Sequence, residues 1–223
     1  MKLNIIDEGI QDYAEILQKQ RLIFTEMVER KKQSFPIEEE FLLMVEHPPV
    51  ITLGRHAKEA NVLINDEELE HRGVKLFHIE RGGDVTFHGP GQIVVYPILD
   101  LEYHHIGVKD YVNLLEEAVI RTIADFGIIG NRVQGASGVW IGRRSTRESE
   151  RKICALGVKC SRFITMHGLA LNVNTDLDGF RLINPCGFID KGVTSMSVEL
   201  GKTLSIEDVK HSLADHFRYL LKI

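Results

Sequence analysis

Apolar positions along the chain follow two periods, and those periods predict most of its elements. Between Asp12 and Lys32, residues Tyr13, Ile16, Leu17, Ile23, Phe24 and Met27 recur at helical spacing, which predicts a long helix with one buried face. A second helix is predicted over Val108 to Phe126, with Val112, Leu115, Val119, Ile123 and Phe126 on one side. A third runs from Ile206 to Leu221, capped by Ser205, with Asp208 three positions after the cap. Asp66 to Arg72 reads as a shorter helix with Asn65 or Asp66 as its cap.

Strands are predicted at Lys2 to Ile6, Phe41 to Glu46, Val50 to Leu53, Leu76 to Glu80, Gln92 to Leu99 and Met166 to Val173. His47-Pro48-Pro49 splits the second from the third, because proline has no ladder donor. The run Ile93-Val94-Val95-Tyr96 is β-branched and apolar throughout, as a buried strand requires. Val139 to Ile141 and Ile153 to Val158 form a strand pair, with the charged segment Arg143 to Arg151 as the loop between them. Helices and strands alternate without a βαβ rhythm. The expected fold is therefore α+β, a mixed β-sheet core with flanking helices, in a single domain over residues 1–223. Neither G-x-G-x-x-G nor a P-loop occurs.

Composition adds exclusions. Hydrophobic and charged shares of 43% and 26% fit a soluble globular chain. No apolar run reaches membrane-span length, and the N-terminus has no long apolar core followed by small residues. We expect no membrane association, no secretory signal and a cytoplasmic location. The 27 Lys and Arg against 32 Asp and Glu leave a net charge of −5, which argues against nucleic acid as a partner. Positive charge still gathers at Arg143, Arg144, Arg147, Arg151, Lys152, Lys159 and Arg162, either as a solvated loop or as a docking patch for an acidic partner. Three cysteines, an odd number, argue against a disulfide framework, and no Cys-x-x-Cys or His-x-x-x-His pair suggests a metal.

Four segments carry candidate chemistry. In Asn184-Pro185-Cys186-Gly187, proline fixes its own φ and glycine frees the next position, so the thiol stands at a sharp corner. Such a cysteine is a candidate nucleophile if a neighbour turns thiol into thiolate. Cys154 and Cys160 instead read as small buried hydrophobes. Lys152 heads an otherwise apolar strand, and period-two alternation puts it on one face with Cys154 and Leu156. Burial would lower its pKa and a nearby thiolate would raise it again; the competing reading is a lysine that snorkels to water. The segment Arg81 to Gln92 holds four glycines and a proline, a tight backbone whose amides face a ligand, with His88 entering a pocket. It reads equally as a plain turn with a hydrogen-bonded histidine. In Met166 to Val173, small residues mark close approach of a ligand or another backbone, and His167 reads as a satisfied structural histidine.

Together these segments resemble the lipoyl(octanoyl) transferase family, also called octanoyl-carrier-protein-to-protein octanoyltransferases. The likeness begins at Glu46-His47-Pro48-Pro49-Val50 and Thr52-Leu53-Gly54-Arg55 and runs through the Arg81 to Gln92 loop and Tyr96-Pro97. It continues through Lys152 to Gly157 and His167 to Asn174, and ends at Asn184-Pro185-Cys186-Gly187 and Val193-Thr194-Ser195-Met196. It implies a fold related to the catalytic domains of biotin and lipoate protein ligases. It also implies that Cys186 takes the octanoyl group as a thioester with Lys152 as its partner. The acyl site would be lined by Arg81, Gly82, Gly83, Asp84, Val85, Thr86, Phe87 and His88, by Ala155, Leu156 and Gly157, and by Gly168, Leu169 and Ala170. The implied donor is octanoyl-acyl carrier protein. The implied acceptors are lipoyl domains of 2-oxoacid dehydrogenases and the glycine cleavage H protein, and no cofactor, metal or nucleotide is implied. Ser137 before Gly138, Cys154, and the long charged loop depart from the family pattern. Competing readings are an ATP-dependent lipoate or biotin ligase, an octanoyl amidotransferase, and a pocket that only carries an acyl chain.

Overall fold

Among the described residues of this computed structural model, 1–142, 150–184 and 192–222, eight strands join in one mixed sheet. In chain order the elements are β1 (Lys2–Ile10), α1 (Tyr13–Lys32), β2 (Glu39–Glu46), β3 (Val50–Leu53), α2 (Asp66–His71), β4 (Lys75–His78), β5 (Val85–His88) and β6 (Gln92–Ile98). They continue with α3 (Val108–Asp125), β7 (Asn131–Val133), β8 (Ala136–Ile141), β9 (Arg151–Ser161) and β10 (Ile164–Asn172). A 3-10 turn (Leu177–Leu182), β11 (Gly192–Val193), α4 (Met196–Leu200) and α5 (Ile206–Leu221) complete the order.

The large sheet runs β1-β2-β6-β10-β9-β8-β7. Among the described residues only its β1–β2 pair and the short β11–β9 pair are parallel. A second sheet, β4-β3-β5, stands apart from it. Strands β6 and β10 are buried along their whole length, as central strands covered on both faces must be. On one face Leu115, Val119 and Ile123 of α3 and Val209, Leu213 and Phe217 of α5 pack over Ile93, Val95, Leu169 and Leu171. On the other, Tyr13, Ile16, Leu17 and Phe24 of α1 cover Val94, Tyr96, Met166 and Ala170. Each fully buried side chain of this size contributes roughly 1.5–3 kcal/mol, an upper figure because the unfolded chain already hides some surface.

Local signals set the helix ends. The Asp12 carboxylate accepts from Ala14 N–H at 2.9 Å, Asn65 caps α2 through Glu68 N–H at 2.9 Å, and the Ser205 hydroxyl accepts from Asp208 N–H at 3.2 Å. No helix among the described residues is long and apolar enough to cross a membrane. The predicted helices and strands are present, most with ends shifted by a few residues. β5 was not expected: Val85 to His88 lies inside the glycine-rich segment and pairs antiparallel with β3, Val50 against His88. The segment is thus a turn followed by a strand.

Candidate active site

One cavity of about 110 Å³ opens on the α1 face of the large sheet, many times the ~10–15 Å³ that a single water needs. Its floor is β6, β10 and β9, and its sides include β5, the turn before it, Trp140 of β8 and Phe180 of the 3-10 turn. Of the residues singled out from sequence, the structure gathers Arg81, Gly83, Asp84, Val85, Thr86, His88, Lys152, Ala155, Leu156, Gly157, Gly168, Leu169 and Ala170 around it. Gly82 and Phe87 are not among the lining. Gly82 N–H donates to Val158 O at 3.0 Å, and the Phe87 ring packs edge-on against Phe180 at 5.6 Å in the small sheet's own core. Cys186, with Pro185 and Gly187, lies outside the described residues, as do Arg143, Arg144 and Arg147.

Lys152 reaches the cavity by breaking the alternation expected of its strand. Val139 pairs with Cys154 and Trp140 with Lys152, so three residues of β9 oppose two of β8. This bulge sends both Ile153 and Cys154 into the core under α3 and turns Lys152 the other way, to line the cavity with Ala155 and Gly157. The expectation that Lys152 shares a face with Cys154 is therefore corrected; an inserted residue inverts facing. The amine lies 4.7 Å from the centre of the Trp140 ring. Cys154 is a buried hydrophobe, its thiol pushed well up by burial, and Cys160 is half-buried and also raised by burial.

The floor is cross-linked by a directional chain of hydrogen bonds. Gln92 Nε2 donates to Phe87 O at 3.2 Å and to Asn172 Oδ1 at 2.8 Å, so Gln92 Oε1 is left as an acceptor. It takes the Nδ1 proton of His88 at 2.7 Å, which leaves His88 Nε2 as an acceptor for the Thr52 hydroxyl at 3.4 Å. Arg81 Nη2 donates to that hydroxyl at 2.9 Å and to Thr52 O at 2.8 Å. At the other end Asn172 Nδ2 donates to Thr194 O at 3.0 Å, and Thr194 N–H donates to Lys152 O at 3.0 Å. Every donor in the chain meets an acceptor. Burial, with the His47 ring beside it, pushes His88 down to about 3. His47 is likewise lowered by burial; its Nδ1 donates to Gln11 O at 2.8 Å and its Nε2 accepts from the Tyr96 hydroxyl at 2.9 Å.

His167 corrects a second expectation. It is buried, lines the cavity, and neither ring nitrogen has a hydrogen-bond partner among the described residues. Its backbone is left-handed, φ 61°, a conformation that costs a non-glycine residue of order 1–3 kcal/mol. Its N–H leaves the ladder to donate to the Gln20 side chain of α1 at 3.2 Å, whose Nε2 is also unpartnered. Burial pushes this imidazole down to about 3 as well. The glycine beside it is explained by another strand: a Cβ on Gly168 would strike Val95 O and Pro97 of β6. Sequence reasoning also passed over Trp140, Asn172 and Tyr13, which line the cavity as ordinary-looking apolar or amide positions.

Three kinds of comparison agree on the kinship of this chain. The profile of the lipoyl protein ligase A/B catalytic domain matches residues 12–218. The octanoyltransferase of Bacteroides thetaiotaomicron is 52% identical over 213 residues, 96% of this chain and 92% of that one. The octanoyltransferase of Porphyromonas gingivalis is 52% identical over 212 residues, 95% of this chain and 43% of that one, so the chain spans under half of that relative. The fold is that of a bipartite lipoate protein ligase from Thermoplasma acidophilum, whose structural study includes its E2 lipoyl domain. The two superpose with a TM-score of 0.68 at 17% identity, over 100% of this chain and 84% of that one. The biotin protein ligase of Aquifex aeolicus shares it more distantly, with a TM-score of 0.52 at 12% identity, over 100% of this chain and 70% of that one.

Proposed function

The chain belongs to the lipoyl protein ligase A/B catalytic family, and on that premise we propose that it moves an octanoyl group from octanoyl-acyl carrier protein to lysines of lipoyl domains through a thioester on Cys186. It is an acyltransferase, and octanoyl transfer is the activity for which its relatives are named. The observation that carries the finer reading is Lys152. It is the ammonium-bearing residue of a cavity whose apolar lining includes Val85, Val94, Leu156, Leu169, Ala170 and Phe180, and its β9 position pairs with Val193, seven residues after Cys186 in the sequence.

In this reading Lys152 holds the proton and Cys186 is the thiolate. The thiolate attacks the thioester carbonyl of the carrier-bound octanoyl group, and the tetrahedral adduct collapses by expelling the carrier thiolate, which takes the Lys152 proton. The enzyme is left as an octanoyl thioester beside a neutral amine. Thioester exchange is nearly isoenergetic, so nothing need be hydrolysed to drive it. A neutral acceptor lysine then attacks the acyl-enzyme. Lys152 removes the proton from its nitrogen, the Cys186 thiolate leaves, and the amide product makes the step downhill. The alkyl chain lies along β9 and β10, where each methylene removed from water is worth ~0.8 kcal/mol. Acceptors are lipoyl domains of the 2-oxoacid dehydrogenases and the glycine cleavage H protein, and the reaction runs in the cytoplasm without cofactor or metal.

The test is intact mass after incubation with octanoyl-acyl carrier protein. The wild type should gain one octanoyl group and Cys186→Ala none; an adduct of full strength in the variant sinks the thioester. Lys152→Met should lower the rate of adduct formation by at least ~10²-fold, the usual size of a lost general acid–base group.

A further inference from the structure

Lys152 is held from outside the cavity as well as within it. Its stem crosses Gly138, where φ is 118° and a Cβ would lie 2.5 Å from Cys154 O and 3.3 Å from Lys152 Cε. No other residue leaves that trough open. The far wall is Trp140, 1% exposed and paired across the bulge with Lys152; its indole N–H donates to Ala136 O at 3.1 Å, so the ring cannot swing. The near wall is tied down by Glu116 of α3, 5% exposed and the one charged residue among the buried residues of that helix. One Glu116 oxygen accepts from Gly138 N–H at 2.9 Å and the other from Arg132 Nε at 3.0 Å. A buried carboxylate with both oxygens occupied gives the turn one position rather than several.

We propose that Trp140 and Glu116 are positioning residues for the Lys152 amine: the indole face fixes its place and favours its protonated form, and Glu116 braces the Gly138 turn over which the lysine lies. This rests on the role given to Lys152 above. The ring's negative face attracts a cation most strongly where water is excluded, by about 1–2 kcal/mol, and that preference disappears when the ring does. A neutral amine is needed only after the first proton transfer, so a group that keeps the resting lysine charged and still supports the ion pair on which the first step depends.

The experiment follows the lysine itself. In protein labelled with carbon-13 lysine, the Lys152 Cε signal is identified by its absence in Lys152→Met and titrated against pH. In Trp140→Leu the midpoint should move down by about one pH unit, the equivalent of ~1.4 kcal/mol. The same variant should lose about tenfold in kcat for octanoyl transfer with KM changed less than twofold. Glu116→Leu, remote from the cavity, should move both readouts the same way by a smaller amount. If Trp140→Leu does not fold, Trp140→Phe keeps a weaker ring and should give a smaller shift of the same sign. An unmoved titration in a folded Trp140 variant, or a raised KM with kcat intact, overturns the proposal. Wild-type transfer by Lys152→Met would instead remove the lysine's catalytic role while leaving the titration result standing, so the two failures are distinguishable.

Discussion

His88 and His167 line the same cavity, and burial pushes each imidazole down to about 3. One sits in a chain of hydrogen bonds that assigns every proton, from Arg81 through Thr52 and Gln92 to Asn172. The other has two ring nitrogens without a hydrogen-bond partner among the described residues, and a left-handed backbone. His88 belongs to the scaffold, since its two partners come from different strands and tie β3 to β6. His167 keeps its donor and acceptor inside the cavity, a standing cost to the fold. Burial alone thus says nothing of a histidine's role; the count of its partners does.

The contrast is open to measurement. The largest effect is expected for His88→Ala, which strands the Gln92 oxygen and the Thr52 hydroxyl; at ~1–3 kcal/mol for each buried group left unpaired, urea unfolding should show a loss of about 3 kcal/mol or more. A loss under ~1 kcal/mol would mean that water replaces the imidazole and that the chain is not a structural unit. The next effect is on pH dependence. Each ring has a folded value near 3 against an ordinary 6.5, so on acidification the unfolded chain takes up the proton first. The stability each contributes is complete above about pH 6.5 and is lost as pH falls toward 3. Replacing either ring by Phe should flatten the fall by about 0.7 kcal/mol per pH unit at pH 6.5, rising to about 1.4 near pH 5. The smallest change, and one of opposite sign, is expected for His167→Phe at pH 7.5: two unsatisfied nitrogens disappear, so stability should hold or rise by up to ~1 kcal/mol. A drop of 2 kcal/mol or more there would show that the nitrogens do have partners in solution.

Much of the frame was legible because its signals are local. Ser205 and Asp208 mark the start of α5, and its apolar face runs to Leu221 as the pattern predicts. Val50 to Leu53 is a strand bounded by proline on one side and glycine on the other. What failed depends on pairs of strands. The facing of Lys152 is decided by a register shift against β8, which no reading of β9 alone contains. Phe87 and His88 are neighbours in sequence, yet one enters the small sheet's core and the other the cavity, because β5 is a strand and not a turn. Trp140 and Glu116 were invisible for the same reason: an indole in an apolar strand and a glutamate in a charged helix carry no local mark of the lysine they surround. Three of the four glycine-bearing segments contribute residues to the cavity, and they could be singled out because a missing side chain is a local fact; the fourth, around Cys186, lies outside the described residues.

Strand β9 changes partner on one side at its Lys152 end. From Cys154 to Ser161 it pairs antiparallel with β10, interrupted where His167 N–H turns to Gln20, but at Arg151 and Lys152 the neighbour on that side becomes the two residues of β11, running parallel. On that side the link is Thr194 N–H on Lys152 O and Gly192 N–H on Glu150 O, while on the other Trp140 and Ile141 of β8 pair with Lys152 and Arg151. A ladder that short can part without disturbing the rest of the sheet. Lys152 therefore stands where a long ladder gives way to a short one. The strand that holds the floor of the cavity thus keeps its β8 neighbour at Lys152, and only the two-residue contact with β11 is short enough to open without the sheet.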